Sequence, residues 1–184
     1  MITFTIHLIL TYTIIASTNR PGSNTLKVAK HYQELMREAG IDAKLLSLEV
    51  LNGEPLIEMV MYDEQPTLLK SIQDEYLSAD KFIVIVPEYN GSFAGITKLF
   101  IDATDVRGYW NRKKVCLVGV ADGRGGNLRG LEHLSGIFLH MKMNVFHLRQ
   151  PLAQINGELD ENGRLYKEGT LNVLRGQIEG FIAF

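Results

Sequence analysis

The chain has 184 residues, 46% of them hydrophobic and 22% charged, with a formal net charge of −2. That length suits one domain with its own core, and that composition excludes a disordered or membrane-embedded chain. So small a charge leaves no electrostatic footprint for nucleic acid or an anionic membrane, and one cysteine, Cys116, rules out a disulfide framework or a cysteine metal site within one chain.

A reducing cytoplasm is the expected compartment. Met1 to Ala16 lacks the positive n-region of a secretory signal and is too short for a membrane span. Residues 1–11 are set aside as an extension of unknown role, with the domain expected over residues 12–184. Tyr12 to Ala16 reads as the first core strand. Ser17 to Thr25 (S-T-N-R-P-G-S-N-T) follows, then a helix with Leu26, Val28, Tyr32, Leu35 and Met36 on one stripe and Gly40 closing it. Strand, polar loop and helix aim unpaired N–H groups and a positive dipole end at whatever the loop holds, which suits a phosphate. Ser17, Thr18, Ser23 and Thr25 offer hydroxyls, Asn19 and Asn24 amides, and Arg20 a forked cation. The plainer alternative is a solvated connection with Ser23 as the helix N-cap. The loop matches neither a Walker A motif nor G-x-G-x-x-G.

Asp42 to Leu48 is expected as the second strand and Thr67 to Ser78 as a helix. Between them, residues 49–66 form a long loop whose Met59, Met61 and Tyr62 pack on the core or on a neighbouring subunit. Phe82 to Val86 is the continuous β-branched and aromatic run of a parallel strand covered on both faces, ended by Pro87. Glu88, Tyr89, Asn90, Gly91 and Ser92 then place an acceptor, a ring, an amide, bare backbone and a hydroxyl where ligands of open α/β sheets sit. The bland reading is a turn that satisfies its own backbone through Asn90 and Gly91. A helix from about Phe93 carries Lys98, directed to solvent or an acidic neighbour.

Val115 to Val120 is the next strand, with Cys116 an inert small hydrophobe. Ala121 to Gly130 (A-D-G-R-G-G-N-L-R-G) repeats the strand, glycine loop and helix logic. There Asp122, Gly123, Gly125 and Gly126 can lay backbone along the edge of a bound ring. Arg124 and Arg129 either attract a dinucleotide phosphate or are simply solvated. On the helix Leu128 to Met141, His133 and His140 share a side; without a third ligand they read as core or interface residues, not a metal site. A fifth strand is expected at Asn144 to Leu148. After it come an excursion with a tight Asn162-Gly163 turn and a closing helix from Thr170 to Ala183. Five β/α alternations make one α/β domain.

The string P-E-Y-N-G-S (Pro87 to Ser92), with the Gly95-x-x-Lys98 helix start, resembles the flavin-contacting loop of the NAD(P)H-dependent FMN reductase family. Ser17 to Ser23 is similar to that family's phosphate loop, and Gly125-Gly126 to its third flavin loop. The resemblance spans roughly Tyr12 to Leu148. It implies a flavodoxin-like, doubly wound, five-stranded parallel sheet of order 2-1-3-4-5. It also implies FMN held by the three loops, NADPH or NADH as co-substrate, and a small electron acceptor (flavin, quinone or azo compound). A homodimer or homotetramer is implied, with no nucleic-acid or membrane partner. No catalytic acid, base or nucleophile is assigned, because the flavin carries the chemistry. Two alternatives stand beside this reading. One is a flavodoxin-like FMN electron carrier that does not oxidise pyridine nucleotide, a class whose usual acidity the charge of −2 argues against. The other is a phosphate-ester binding module that has lost the flavin.

Overall fold

A computed structural model of the protein describes residues 10–56 and 67–184. Most of the expected extension, and Met59, Met61 and Tyr62, lie outside the described residues. In chain order the elements are β1 (Tyr12–Ala16), α1 (Asn24–Glu38), β2 (Lys44–Ser47), α2 (Thr67–Ile72), β3 (Lys81–Pro87), α3 (Gly95–Ala103), β4 (Lys114–Val120), α4 (Leu128–His140), β5 (Asn144–Val145), β6 (Gln150–Leu152) and α5 (Glu168–Ala183). The strands pair in parallel in the order β2-β1-β3-β4-β5, and β6 pairs with the carboxyl half of β4. The doubly wound α/β sheet expected from the sequence is therefore present.

The apolar runs follow from burial on both faces. Successive strand side chains alternate across a sheet. In β3, Phe82, Val84 and Val86 face one core while Ile83 and Ile85 face the other. On the first face, α3 and α4 pack rings around Trp110, whose centroid lies 5.1 Å from Phe82, 6.3 Å from Phe100 and 6.0 Å from Phe138. On the second face Tyr32 and Met36 of α1 meet Leu174, Ile178 and Phe181 of α5. One buried cation sits at the amino end of β3. Lys81 is 1% exposed and donates to the Phe181 and Ile182 carbonyls, each at 2.9 Å.

The fifth strand differs from expectation. Asn144 to Leu148 pairs with β4 only over Asn144–Val145, and pairing resumes at Gln150–Leu152. The Leu148 carbonyl accepts from Gln177 Nε2 at 2.8 Å instead of a strand partner. Pro151, lacking an N–H, limits what the resumed stretch can donate. π-helical turns at Gln73–Leu77 and Val106–Trp110 were also not legible as such in the sequence. Thr11, placed with the extension, donates to Asp80 Oδ2 through both its N–H and its hydroxyl, each at 2.9 Å.

Candidate cofactor-binding site

The β1–α1 loop supplies the first wall. Ser23 caps α1, its Oγ accepting from the Leu26 N–H at 3.1 Å, so the simple capping reading holds. The N–H groups of Asn24 and Thr25 belong to the first helical turn, which has no intrahelical acceptor. Thr18 Oγ1 shares a hydrogen bond with the Tyr89 hydroxyl at 3.1 Å, and the Arg20 guanidinium lies 5.6 Å from the Tyr89 ring centroid. Those contacts bring the β1–α1 loop and the β3–α3 loop to one place.

The β3–α3 loop turns within two residues. The Tyr89 N–H donates to the Ser92 carbonyl at 2.9 Å and the Ser92 N–H returns to Tyr89 at 3.0 Å. Asn90 (φ 53°) and Gly91 (φ 77°) are both left-handed, as a two-residue hairpin turn requires. The turn thus satisfies its own backbone while Tyr89 and Glu88 face the cleft.

The β4–α4 loop is tied to its neighbour by a residue the sequence reading passed over. Asn127 is 2% exposed and caps α4 from a left-handed conformation. Its Nδ2 donates to the Val86 carbonyl at 3.0 Å and the Pro87 carbonyl at 2.8 Å, while its Oδ1 accepts from the Gly130 N–H at 3.2 Å. Gly126 (φ 55°) must be glycine: a Cβ there would stand 2.7 Å from Pro151 Cβ.

Two adjoining clefts result, of about 290 and 350 Å³, both lined by Glu88. Each lies near the lower end of the ~300–1,000 Å³ usual for ligand sites. The first gathers Arg20, Ser23, Asn24, Thr25, Pro87, Tyr89 and Asp122 from the expected residues. The second takes Gly91 and Gly125. Six expected residues do not line either cleft. Ser17 is fully buried, its hydroxyl donating to the Ile85 carbonyl at 2.8 Å. The Asn19 amide is bonded to Asn52 at 2.8 Å. Ser92 Oγ is paired with His133 Nδ1 at 2.9 Å. Asn90, Gly123 and Gly126 shape backbone. Thr18, Ala121, Ile155 and Asn156 line the first cleft, and Leu128 and Arg129 the second.

The donor set fits FMN. A cation, hydroxyls and helix-end N–H groups stand at the β1–α1 end, suited to a phosphate. Glu88 and Asp122 supply acceptors for the hydroxyls of a polyol, and the bare backbone of Gly91 and Gly125 admits a flat ring. Burial pushes the Cys116 thiol up to about 12, so it stays a protonated core group. Among the described residues, no group of three or more His, Cys, Asp or Glu could hold a metal ion.

A family model described as NADPH-dependent FMN reductase matches residues 11–155. An NAD(P)H-dependent FMN reductase of Pseudomonas aeruginosa is 25% identical over 166 residues, covering 85% of this chain and 89% of the relative. A 2-hydroxy-1,4-benzoquinone reductase of a Burkholderia species is 23% identical over 140 residues, covering 73% and 75%. The flavoenzyme NAD(P)H:(acceptor) oxidoreductase FerB of Paracoccus denitrificans superposes with a TM-score of 0.77 at 22% identity, over 95% of this chain and 96% of that one.

Proposed function

The chain belongs to the NADPH-dependent FMN reductase family, and from that premise we propose that it oxidises NADPH or NADH and reduces a small acceptor, a quinone being the class best supported. FMN, when bound, would supply the redox chemistry between the nicotinamide nucleotide and the acceptor. The protein's own groups bind and orient. Arg20, with Ser23 and Thr25, holds the phosphate; Glu88 and Asp122 accept from the polyol; Gly91 and Gly125 let the ring lie against backbone. Arg129, at the second cleft, is the cation placed to meet the phosphates of the nucleotide.

The observation that supports this reading is that the cleft lined by Arg20, Ser23 and Thr25 adjoins the cleft lined by Gly91 and Gly125, with Glu88 common to both. A quinone acceptor is favoured by the names of the Burkholderia relative and of an FMN-dependent NADH:quinone oxidoreductase of Staphylococcus aureus. The latter is 41% identical over 59 residues, or 31% of this chain. For the expected homo-oligomer, the groove between α3 and α4, where Ile101, Val106, Ile137 and Met141 lie beside Lys98, Asp102 and His140, is the face we put forward. No helix among the described residues is long and apolar enough to cross a membrane, and the cytoplasm remains our proposal for the compartment. Rapid mixing of the FMN-loaded protein with NADPH and with NADH tests the reading. Bleaching of flavin absorbance by either supports it, and no bleaching by both leaves only the electron-carrier alternative.

A further inference from the structure

The far wall of the first cleft comes from the segment after β6, where the sequence carries no binding motif. Ile155–Gly157 forms a single 3-10 turn, entered through Gln154 in a left-handed conformation (φ 50°, ψ 44°). The segment is zipped to the β4–α4 loop: the Gln154 N–H donates to the Gly123 carbonyl at 3.3 Å and the Ile155 N–H to the Ala121 carbonyl at 3.1 Å. Ile155, 2% exposed, anchors it in the core. A non-glycine residue held left-handed persists only where the surroundings over-determine it, and such residues gather at ligand sites.

That anchoring puts Asn156 in the lining of the cleft that Arg20, Ser23 and Thr25 share. Its Oδ1 accepts from Asn24 Nδ2 at 2.8 Å, across the β1–α1 loop. A side-chain amide whose oxygen is so engaged presents its NH2 end as the donor. The cleft around it already holds a guanidinium and hydroxyls, with the Glu88 and Asp122 carboxylates elsewhere in the same lining. We propose that Asn156, oriented by Asn24 at the start of α1, is a further phosphate-binding residue, donating to a phosphate oxygen of FMN. This rests on the FMN reading above. The matched family residues end at Ile155, one position short.

The substitution Asn156→Asp tests it, because a carboxylate still accepts from Asn24 but turns the donor end into a negative charge. Binding of FMN and of riboflavin, which lacks the phosphate, is measured by quenching of flavin fluorescence at fixed ionic strength, with Asn156→Ala alongside. N156A should weaken FMN roughly ten- to hundredfold, as one lost bond to a charged group implies, and N156D, which sets a negative charge against the phosphate, by more than that. Riboflavin affinity and the urea midpoint should not move in either variant. If wild-type protein binds FMN well and N156D binds it equally well, the assignment is wrong and the FMN reading survives. Equal weakening of riboflavin also overturns it, since Asn156 would then act on the polyol or on cleft shape. Wild-type protein that binds FMN no better than riboflavin would remove both the assignment and the phosphate site.

Discussion

Asn127 offers the most direct check on how the site is held. Replacing it with alanine removes two donors to the Val86 and Pro87 carbonyls and the acceptor for Gly130, all at a residue 2% exposed. Three neutral hydrogen bonds at about 1 kcal/mol each give roughly 3 kcal/mol. Asn127 also sits at φ 65°, where alanine costs on the order of 1 kcal/mol more than a residue that tolerates the left-handed region. Asn127→Gly separates the two contributions, because it loses the same bonds without the backbone strain. In urea unfolding we expect N127A to lose about 4 kcal/mol and N127G about 3. For a chain of this size 3 kcal/mol corresponds to a fall in Tm of roughly 6–12 °C. Because the same amide ties the end of β3, from which the β3–α3 loop springs, to the β4–α4 loop, FMN affinity should fall in both variants. A loss below 1 kcal/mol in N127A would show that the two loops are held by something else.

Arg20→Ala removes a charge-assisted bond worth about 1.5–3 kcal/mol. FMN should bind roughly ten- to hundredfold more weakly with riboflavin unaffected, and calorimetric titration that finds unchanged FMN affinity would undo the phosphate assignment. His31 predicts an acid sensitivity. Burial first, and the nearby Arg164 second, hold its imidazole below the ordinary value of about 6.5, and its Nδ1 accepts from the Leu165 N–H at 2.9 Å. The folded state therefore keeps the ring neutral where the unfolded chain takes up a proton. Stability is full above the ordinary value and lost as pH falls from there through the folded one. Thermal melts between about pH 7 and about pH 5 should be less steep for His31→Gln than for wild type, and identical slopes would refute the point. Gly126→Ala places a Cβ 2.7 Å from Pro151 Cβ at a left-handed position, so it should cost at least ~1–2 kcal/mol in urea unfolding. A variant as stable as wild type would mean the loop can move off β6.

The parts of this molecule written in local chemistry were legible. The β-branched run of β3, with its Pro87 stop, reads as a doubly covered parallel strand because burial on both faces leaves no polar alternation. Asn90-Gly91 reads as a turn because both positions must be left-handed. Asn127 had a signal that could have been found: an asparagine directly before an apolar helix, three residues ahead of a backbone N–H it can cap. Asn156 had no such signal. Its place in the cleft depends on pairing of the post-β6 backbone with the β4–α4 loop, a contact between segments about thirty residues apart that no local pattern encodes.

The expected residues that miss the clefts explain how the cleft residues stay in place. The Ser17 hydroxyl is spent on the Ile85 carbonyl, and Ser17 in turn accepts from Thr97 Oγ1 at 2.7 Å, joining the β1–α1 loop to α3. The Asn127 amide joins the β4–α4 loop to the end of β3, and the Glu88 N–H donates to the Val120 carbonyl at 3.0 Å. The Ala121 N–H donates to Leu152 at 3.1 Å, joining that loop to β6. Three loops are thereby referenced to the rigid strand ends by polar bonds as well as by packing such as that of Gly126 on Pro151. A site held this way loses little freedom when a ligand arrives, which favours affinity without added contacts. Polar residues at the carboxyl ends of these strands thus divide into those that line the clefts and those that position them.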